Sequence, residues 1–226
     1  MKLVQPDFFF PIDFKENQIE TIVIEKPELF SDMVFQLKSH INGEGDFGWV
    51  LSAGNKLLDM EKTCEIIINP FDVDINNRKL QNALYEKLET EINSTDNLFV
   101  WNELCGKMEK ELQKFLEPMD YNITYSENIA IKDFLKLMKV CFQEDSVNYF
   151  EKLLDYMRLE QKILKVRLFV LVNIKGFLNL EQLHFLYQQS CYDKFQLLLI
   201  ESYMDEQKRI GGERVFIIDN DSCVIC

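Results

Sequence analysis

Apolar positions follow two different rhythms along the chain. Between Val166 and Asn173 six of eight residues are apolar, with no polar residue from Leu168 to Val172. A strand with one wet face alternates, so a short continuous run of this kind predicts a strand buried on both faces. After it, Gly176 breaks the chain. Asn179 then offers a helix cap with Gln182 three residues on, and Leu180, Leu183, Leu186 and Tyr187 recur at helical spacing. A second apolar run, Phe195 to Ile200, completes strand, helix and strand, which predicts a right-handed parallel βαβ unit.

The first 76 residues share the short-run rhythm. Phe8 to Phe14 suggests a small hairpin around Pro11, and Thr21 to Ile24 a strand. Pro27 opens a helix that carries Leu29, Phe30, Met33, Val34 and Leu37 and ends near Asn42-Gly43. Trp49-Val50-Leu51 and Lys56-Leu57-Leu58 flank Ala53-Gly54-Asn55 as a hairpin would, and Glu65 to Asn69 is a further interior strand ended by Pro70. From Arg78 to Ile163 helical spacing takes over: Leu80, Leu84, Leu88; then Leu98, Trp101, Leu104, Met108, Leu112, Phe115; then Phe134, Leu135, Met138; then Phe150, Leu153, Leu154, Met157. Breaks fall at Glu117-Pro118-Met119-Asp120 and at Gln143 to Ser146. The first of these helices can still pack on the sheet. Neither flanking half has strands enough to bury a core alone, so both must share one sheet. The expected architecture is an α/β protein. Residues 1–93 and 164–226 form a mixed, largely parallel sheet domain, and 94–163 form an inserted helical domain. Arg214 to Ile218 supplies the closing strand.

An apolar fraction of 47% marks a globular chain, and no run nears the roughly 20 apolar residues that span a bilayer. Met1 to Asp7 holds an acid and a proline where a secretory signal needs an apolar centre, and six cysteines suit a reducing compartment. Both predict a cytoplasmic protein. Only Cys223-Val224-Ile225-Cys226 has chelating or redox spacing. Zinc would need two further ligands, and neither of the two histidines, His40 and His184, lies in a ligand pair. A net charge of −13 argues against a protein that coats phosphates.

Candidate chemistry is sparse. Gly43-Glu44-Gly45-Asp46-Phe47-Gly48 spells a dinucleotide fingerprint, but it follows a helix and puts two carboxylates where pyrophosphate would lie, so it reads as an acidic loop. No Gly-x-x-x-x-Gly-Lys-Ser/Thr occurs. Asn69 to Asp74, between a strand and a helix, holds acids and a proline that cannot cradle a triphosphate. Asp72-x-Asp74-x-Asn76 opens like a calcium loop but has Asn77 where glycine is needed and Ala83 where a bidentate Glu belongs. Glu117, Asp120, Asn122 and Glu127 crowd oxygens around a helix break, which is either a solvated connector or a calcium site. Lys132, Lys136 and Lys139 make a positive stripe, as do Lys107, Lys110 and Lys114. Glu103, Glu109, Glu111 and Glu117 interleave with the second and should pair with it. No serine, histidine and acid suggest a nucleophile.

In order and spacing, these stretches resemble the Csn-two family of subtype II-A CRISPR systems, which takes part in acquiring new spacers. The resemblance rests on Glu20 to Phe30, Ile66 to Leu80, Asn148 to Leu154 and Arg214 to Val224, and above all on Lys165 to Glu201. It implies an α/β head related in fold to nucleotide-binding proteins but without their phosphate loop, and a helical leg. It also implies a ring-shaped homotetramer that holds double-stranded DNA in its central hole, loads at free ends without sequence preference and is not an enzyme. Calcium near the head–leg junction steadies the ring, and the adaptation integrase and effector nuclease are the companions. On this resemblance Glu117, Asp120 and Glu127 become calcium candidates, and Lys132, Lys136 and Lys139 candidates for the DNA-facing lumen. Two other readings stand beside it: a nucleotide-dependent enzyme, and a scaffold that binds proteins but no DNA.

Overall fold

The computed structural model describes residues 1–6, 10–126, 128–221 and 223–225. In chain order the strands are β1 (Lys2–Val4), β2 (Ile12–Asp13), β3 (Ile19–Ile24), β4 (Val50–Ala53), β5 (Lys56–Leu58), β6 (Cys64–Ile67), β7 (Leu168–Val172), β8 (Gln196–Glu201), β9 (Glu213–Ile218) and β10 (Val224–Ile225). The helices are α1 (Pro27–Ile41), α2 (Met60–Thr63), α3 (Arg78–Ile92), α4 (Thr95–Leu116), α5 (Ile131–Leu137), α6 (Tyr149–Leu159), α7 (Ile174–Phe177) and α8 (Leu180–Asp193).

The chain divides into two compact units, Met1–Ile75 with Glu144–Cys226, and Asn76–Gln143. The first is built on a six-stranded sheet of order β10-β9-β3-β8-β7-β6, parallel throughout except for the β10 edge. Every residue of β7 is buried, as a strand covered on both faces requires. One face carries Ile22, Ile24, Val170, Leu198 and Ile200. These pack with Met33 and Leu37 of α1 and with Leu3, Ile12 and Leu51 of a second, antiparallel sheet of order β2-β1-β4-β5. The opposite face carries Thr21, Val23, Phe169 and Leu199 by strand alternation. An ionic pair links adjacent strands β3 and β9. Arg214 Nε donates to the Glu20 carboxylate at 2.8 Å, and the guanidinium lies 4.6 Å over the Phe216 ring. Burial raises the Glu20 carboxyl above the ordinary range, and Arg214 pulls it back.

Several sequence signals appear as geometry. Asn179 accepts from the Gln182 N–H at 2.9 Å while Gln182 accepts from the Asn179 N–H at 3.0 Å, a complete capping box on α8. Pro27 starts α1, whose end is capped by Asn42 and turned by Gly43 at φ 71°. Strand β4 pairs with β5 across Gly54-Asn55. Other expectations need correction. Gly176, expected to break the chain, lies inside the one-turn helix α7. Asn173 initiates that turn at φ 51°, and its side chain accepts the Ser202 N–H at 2.8 Å. Strand β1, paired with both β2 and β4, has no counterpart among the expected elements. Of the expected N-terminal hairpin, Phe8 and Phe9 lie outside the described residues, as does Cys226 of the Cys-x-x-Cys run.

The second unit holds α3, α4 and α5 around a small core of Tyr85, Ile131 and Leu135, with Leu84, Leu88, Trp101 and Val140 packed on it. Its two ends are tied by Asn76, whose side chain donates to the Phe142 carbonyl at 3.0 Å and accepts the Phe142 N–H at 2.8 Å. Helix α3 belongs with these helices, whereas α6, expected among them, belongs with the sheet. The boundaries between the units therefore fall at 75/76 and 143/144, not at 93/94 and 163/164.

Candidate functional site

Open parallel sheets bind ligands outside the carboxyl ends of their strands, where the strand order reverses. Here that place is the end of β3, because its two neighbours, β8 and β9, are both distant in sequence. The phosphate-loop position is thus the β3–α1 turn, not the Asn69–Asp74 loop that strand and helix spacing alone suggested. The turn cannot hold a triphosphate. It consists of Glu25 and Lys26, followed by Pro27 without an N–H, and the Glu25 N–H already donates to the Ile218 carbonyl at 3.0 Å. The Asn69 side chain closes the other loop on itself, accepting the Phe71 N–H at 3.1 Å and donating to Asp72 at 2.7 Å.

The sheet face carrying Thr21 holds an ionic cluster, reaching from the carboxyl ends of β7 and β8 to the start of β9, that the sequence pattern does not announce. The Lys175 ammonium donates to Glu213 at 2.5 Å, and their side chains are 4% and 0% exposed. Glu213 also accepts from the Thr21 hydroxyl and, at 3.3 Å, from the Ile210 N–H. The Lys175 N–H donates to Glu201 at 3.2 Å, and the Lys208 ammonium donates to the Lys175 carbonyl. Burial pushes the Glu201 carboxyl up to about 7; the Lys175 N–H and ammonium oppose this, and Glu213 adds to it. Burial first, then the two carboxylates, also drives the Tyr187 phenol up, and its hydroxyl is buried without a partner among the described residues. The warning in the sequence was slight: one lysine inside Asn173 to Leu178, and an acid ending the run Leu197 to Ile200. The Lys175 and Glu213 side chains are almost wholly buried, while Lys208 is only partly so, and the chemistry of the cluster is that of a structural ion pair.

The residues singled out from sequence lie in the second unit. Glu117 caps the carboxyl end of α4, and Asp120 is exposed three residues on; Glu127 lies outside the described residues. Among the described residues no group of three or more His, Cys, Asp or Glu side chains is placed to hold a metal ion. On α5, Lys132 faces Glu89 at 3.3 Å and Glu86 at 3.9 Å, and Lys136 pairs with Asp133 at 3.0 Å. Lys139 is exposed just past the helix at φ 52°. The stripe is thus partly neutralised by acids of α3, a pairing that spacing along α5 cannot reveal. Lys107 and Lys114 pair with Glu103 and Glu111, both at 2.6 Å, as their interleaving suggested.

None of the 22 residues of α4 is buried. Phe99 and Phe115 are 73% and 68% exposed, and Leu98, Leu104 and Leu112 each more than a third. Exposed apolar side chains are thus concentrated on α4.

The family model described as CRISPR-associated protein (Cas_Csn2) matches residues 42–222. That span runs from the end of α1 through the inserted helices to the last strands. A search of curated proteins found no match.

Proposed function

Because the chain belongs to the CRISPR-associated Cas_Csn2 family, we propose that it binds double-stranded DNA ends without sequence preference, as a ring-shaped homotetramer acting in spacer acquisition beside the adaptation integrase and effector nuclease. Family membership over residues 42–222 is the observation that carries this reading. The exposed apolar α4 is consistent with it, because a helix left without cover in one chain is suited to self-association. The role is taken as non-catalytic. The β3–α1 turn, with its proline and its spent N–H, gives the nucleotide-dependent alternative no phosphate cradle.

Charge is the difficulty a ring resolves. Four chains carry about −52 in all, yet duplex DNA needs a positive potential only where it passes. With one phosphate charge per ~1.7 Å of axis, a few lysines repeated by symmetry meet several phosphates at once. Lys136 and Lys139 are the candidates, with Lys132 held back by Glu86 and Glu89. The double variant Lys136→Glu/Lys139→Glu should keep its fold. It should bind a linear duplex at least about tenfold more weakly, with the slope of log K against log salt reduced by roughly 0.9 for each phosphate the lysines no longer neutralise. Filter binding across salt concentrations measures both, and unchanged affinity and slope would remove these lysines from the interface.

Calcium enters this reading through the family. Glu117 and Asp120 are two described carboxylates, short of the six to eight oxygens the ion takes. Glu127, backbone carbonyls and water would have to complete a shell, and the ion's part would be to offset acidic charge at α4. The pairing of Lys132 and Lys136 with acids favours a second reading, a protein scaffold whose acidic surface meets basic partners and which has no affinity for DNA with or without calcium.

A further inference from the structure

We propose that the open edge of β5 is a docking site for an extended, basic segment of another protein, which adds to the β2-β1-β4-β5 sheet as a further strand. Strand β5 ends that sheet and pairs only with β4 among the described residues. The turn between them has two residues, Gly54 and Asn55, so the flanking pair Ala53 and Lys56 is the hydrogen-bonded one, and Leu58 bonds back to Leu51. The N–H and carbonyl of Leu57 therefore point away from β4, along the open edge. Leu57 is 72% exposed, and Val50 beside it is 44% exposed.

A cavity of about 560 Å³ adjoins this edge. Leu57 and Leu58, whose side chains alternate to opposite faces of the sheet, both line it, so it follows the edge and not one face. Trp49 and Leu51 give its lining apolar surface, and Asp59 and Glu61 give it carboxylates. Glu61 is seated against Gly43, where a Cβ would come within 2.6 Å of its carboxylate. Asp46, also in the lining, has a side chain 90% exposed. Lys62 offsets Asp59 at 3.0 Å. His40 Nδ1 accepts the Phe47 N–H at 3.3 Å and so brings no proton to Asp46, 3.8 Å away, which leaves Asp46 and Glu61 as the acids without a cationic partner among the described residues.

Charge decides the occupant. An unprotected edge invites a second strand, and a second copy of this chain would bring the same carboxylates to the same place and be repelled. A segment that alternates basic and apolar residues meets both the opposite sign and apolar surface in the lining, while its backbone bonds to Leu57. The Gly43–Gly48 stretch is then the acidic wall of a peptide groove.

The test uses the full chain with Trp101→Phe, which leaves Trp49 as the only tryptophan. A capped pentapeptide alternating Lys and Val should change Trp49 emission saturably, whereas its Glu–Val counterpart and spermidine should not. Asp46→Lys/Glu61→Lys should weaken the Lys–Val peptide about tenfold or more, and Leu57→Pro, which removes the outward N–H, should do the same. Should Leu57→Pro fail to fold, the charge variant decides alone. No saturable change up to the solubility limit of the peptide, equal response to the Glu–Val peptide or spermidine, or binding unaltered by the charge variant would overturn the proposal. Binding of linear duplex by Leu57→Pro should be unchanged, so this proposal and the DNA reading fail separately.

Discussion

Replacing Lys175 with Met is expected to destabilise the sheet unit by about 3–5 kcal/mol, the cost of leaving a buried partner charge without its counter-ion. Glu213 is fully enclosed and would keep only the Thr21 hydroxyl and the Ile210 N–H. Methionine fills the space of the lysine stem, so the loss measures charge and not a cavity. The second change Glu213→Gln, made on top of the first, should restore most of it, because a neutral amide no longer demands a cation. Urea unfolding of the two variants checks this. A loss below about 1 kcal/mol for the single variant would mean that the pair is solvated and contributes as a surface pair does.

The second large effect is a pH dependence set by Glu201. Its carboxyl titrates near 7 in the fold, chiefly through burial, against 4.5 for an ordinary glutamate. A raised pKa means that the folded chain binds the proton more tightly than the unfolded one. The stabilising contribution is complete below about 4.5 and is lost as pH rises through about 7. Above that the buried carboxylate costs about 3 kcal/mol. Glu201→Gln still accepts from the Lys175 N–H but cannot ionise. Its advantage over the parent chain should grow from near zero at pH 4.5 to that amount at pH 8, with Lys175, Lys208, Glu213 and Tyr187 unchanged around it. Stability curves at several pH values read this directly, and parallel profiles for the two proteins would show that Glu201 is ionised throughout.

Much of the frame was legible in the residues themselves. The runs Leu168 to Val172 and Leu197 to Ile200 are apolar without alternation because both faces of the parallel sheet are covered, and they are indeed the buried strands β7 and β8. Asn179 with Gln182, Pro27 and Gly54-Asn55 act locally, so their outcomes do not depend on the rest of the fold. What failed depends on residues far apart in the chain. The apolar face of α3 looks the same whether it meets a sheet or another helix, and only the partnership of Tyr85 with Ile131 and Leu135 places it with the insertion. Spacing cannot order strands either. The central position of β3, and with it the place where a phosphate loop would lie, comes from its pairing with β8 and β9. Lys175 and Glu213 lie 38 residues apart, and nothing in either neighbourhood announces the other. Lys132, one of a promising stripe by its own helix, is met by Glu86 and Glu89 from α3.

The most direct measurement compares binding of a linear duplex with a covalently closed circle of the same sequence, at low and moderate salt, first with calcium and then with chelator. A ring that threads ends binds the linear duplex in calcium, loses it with chelator and binds the closed circle weakly or not at all. Equal binding to line and circle would contradict threading. Binding to neither would contradict the DNA-binding role altogether and leave the protein scaffold.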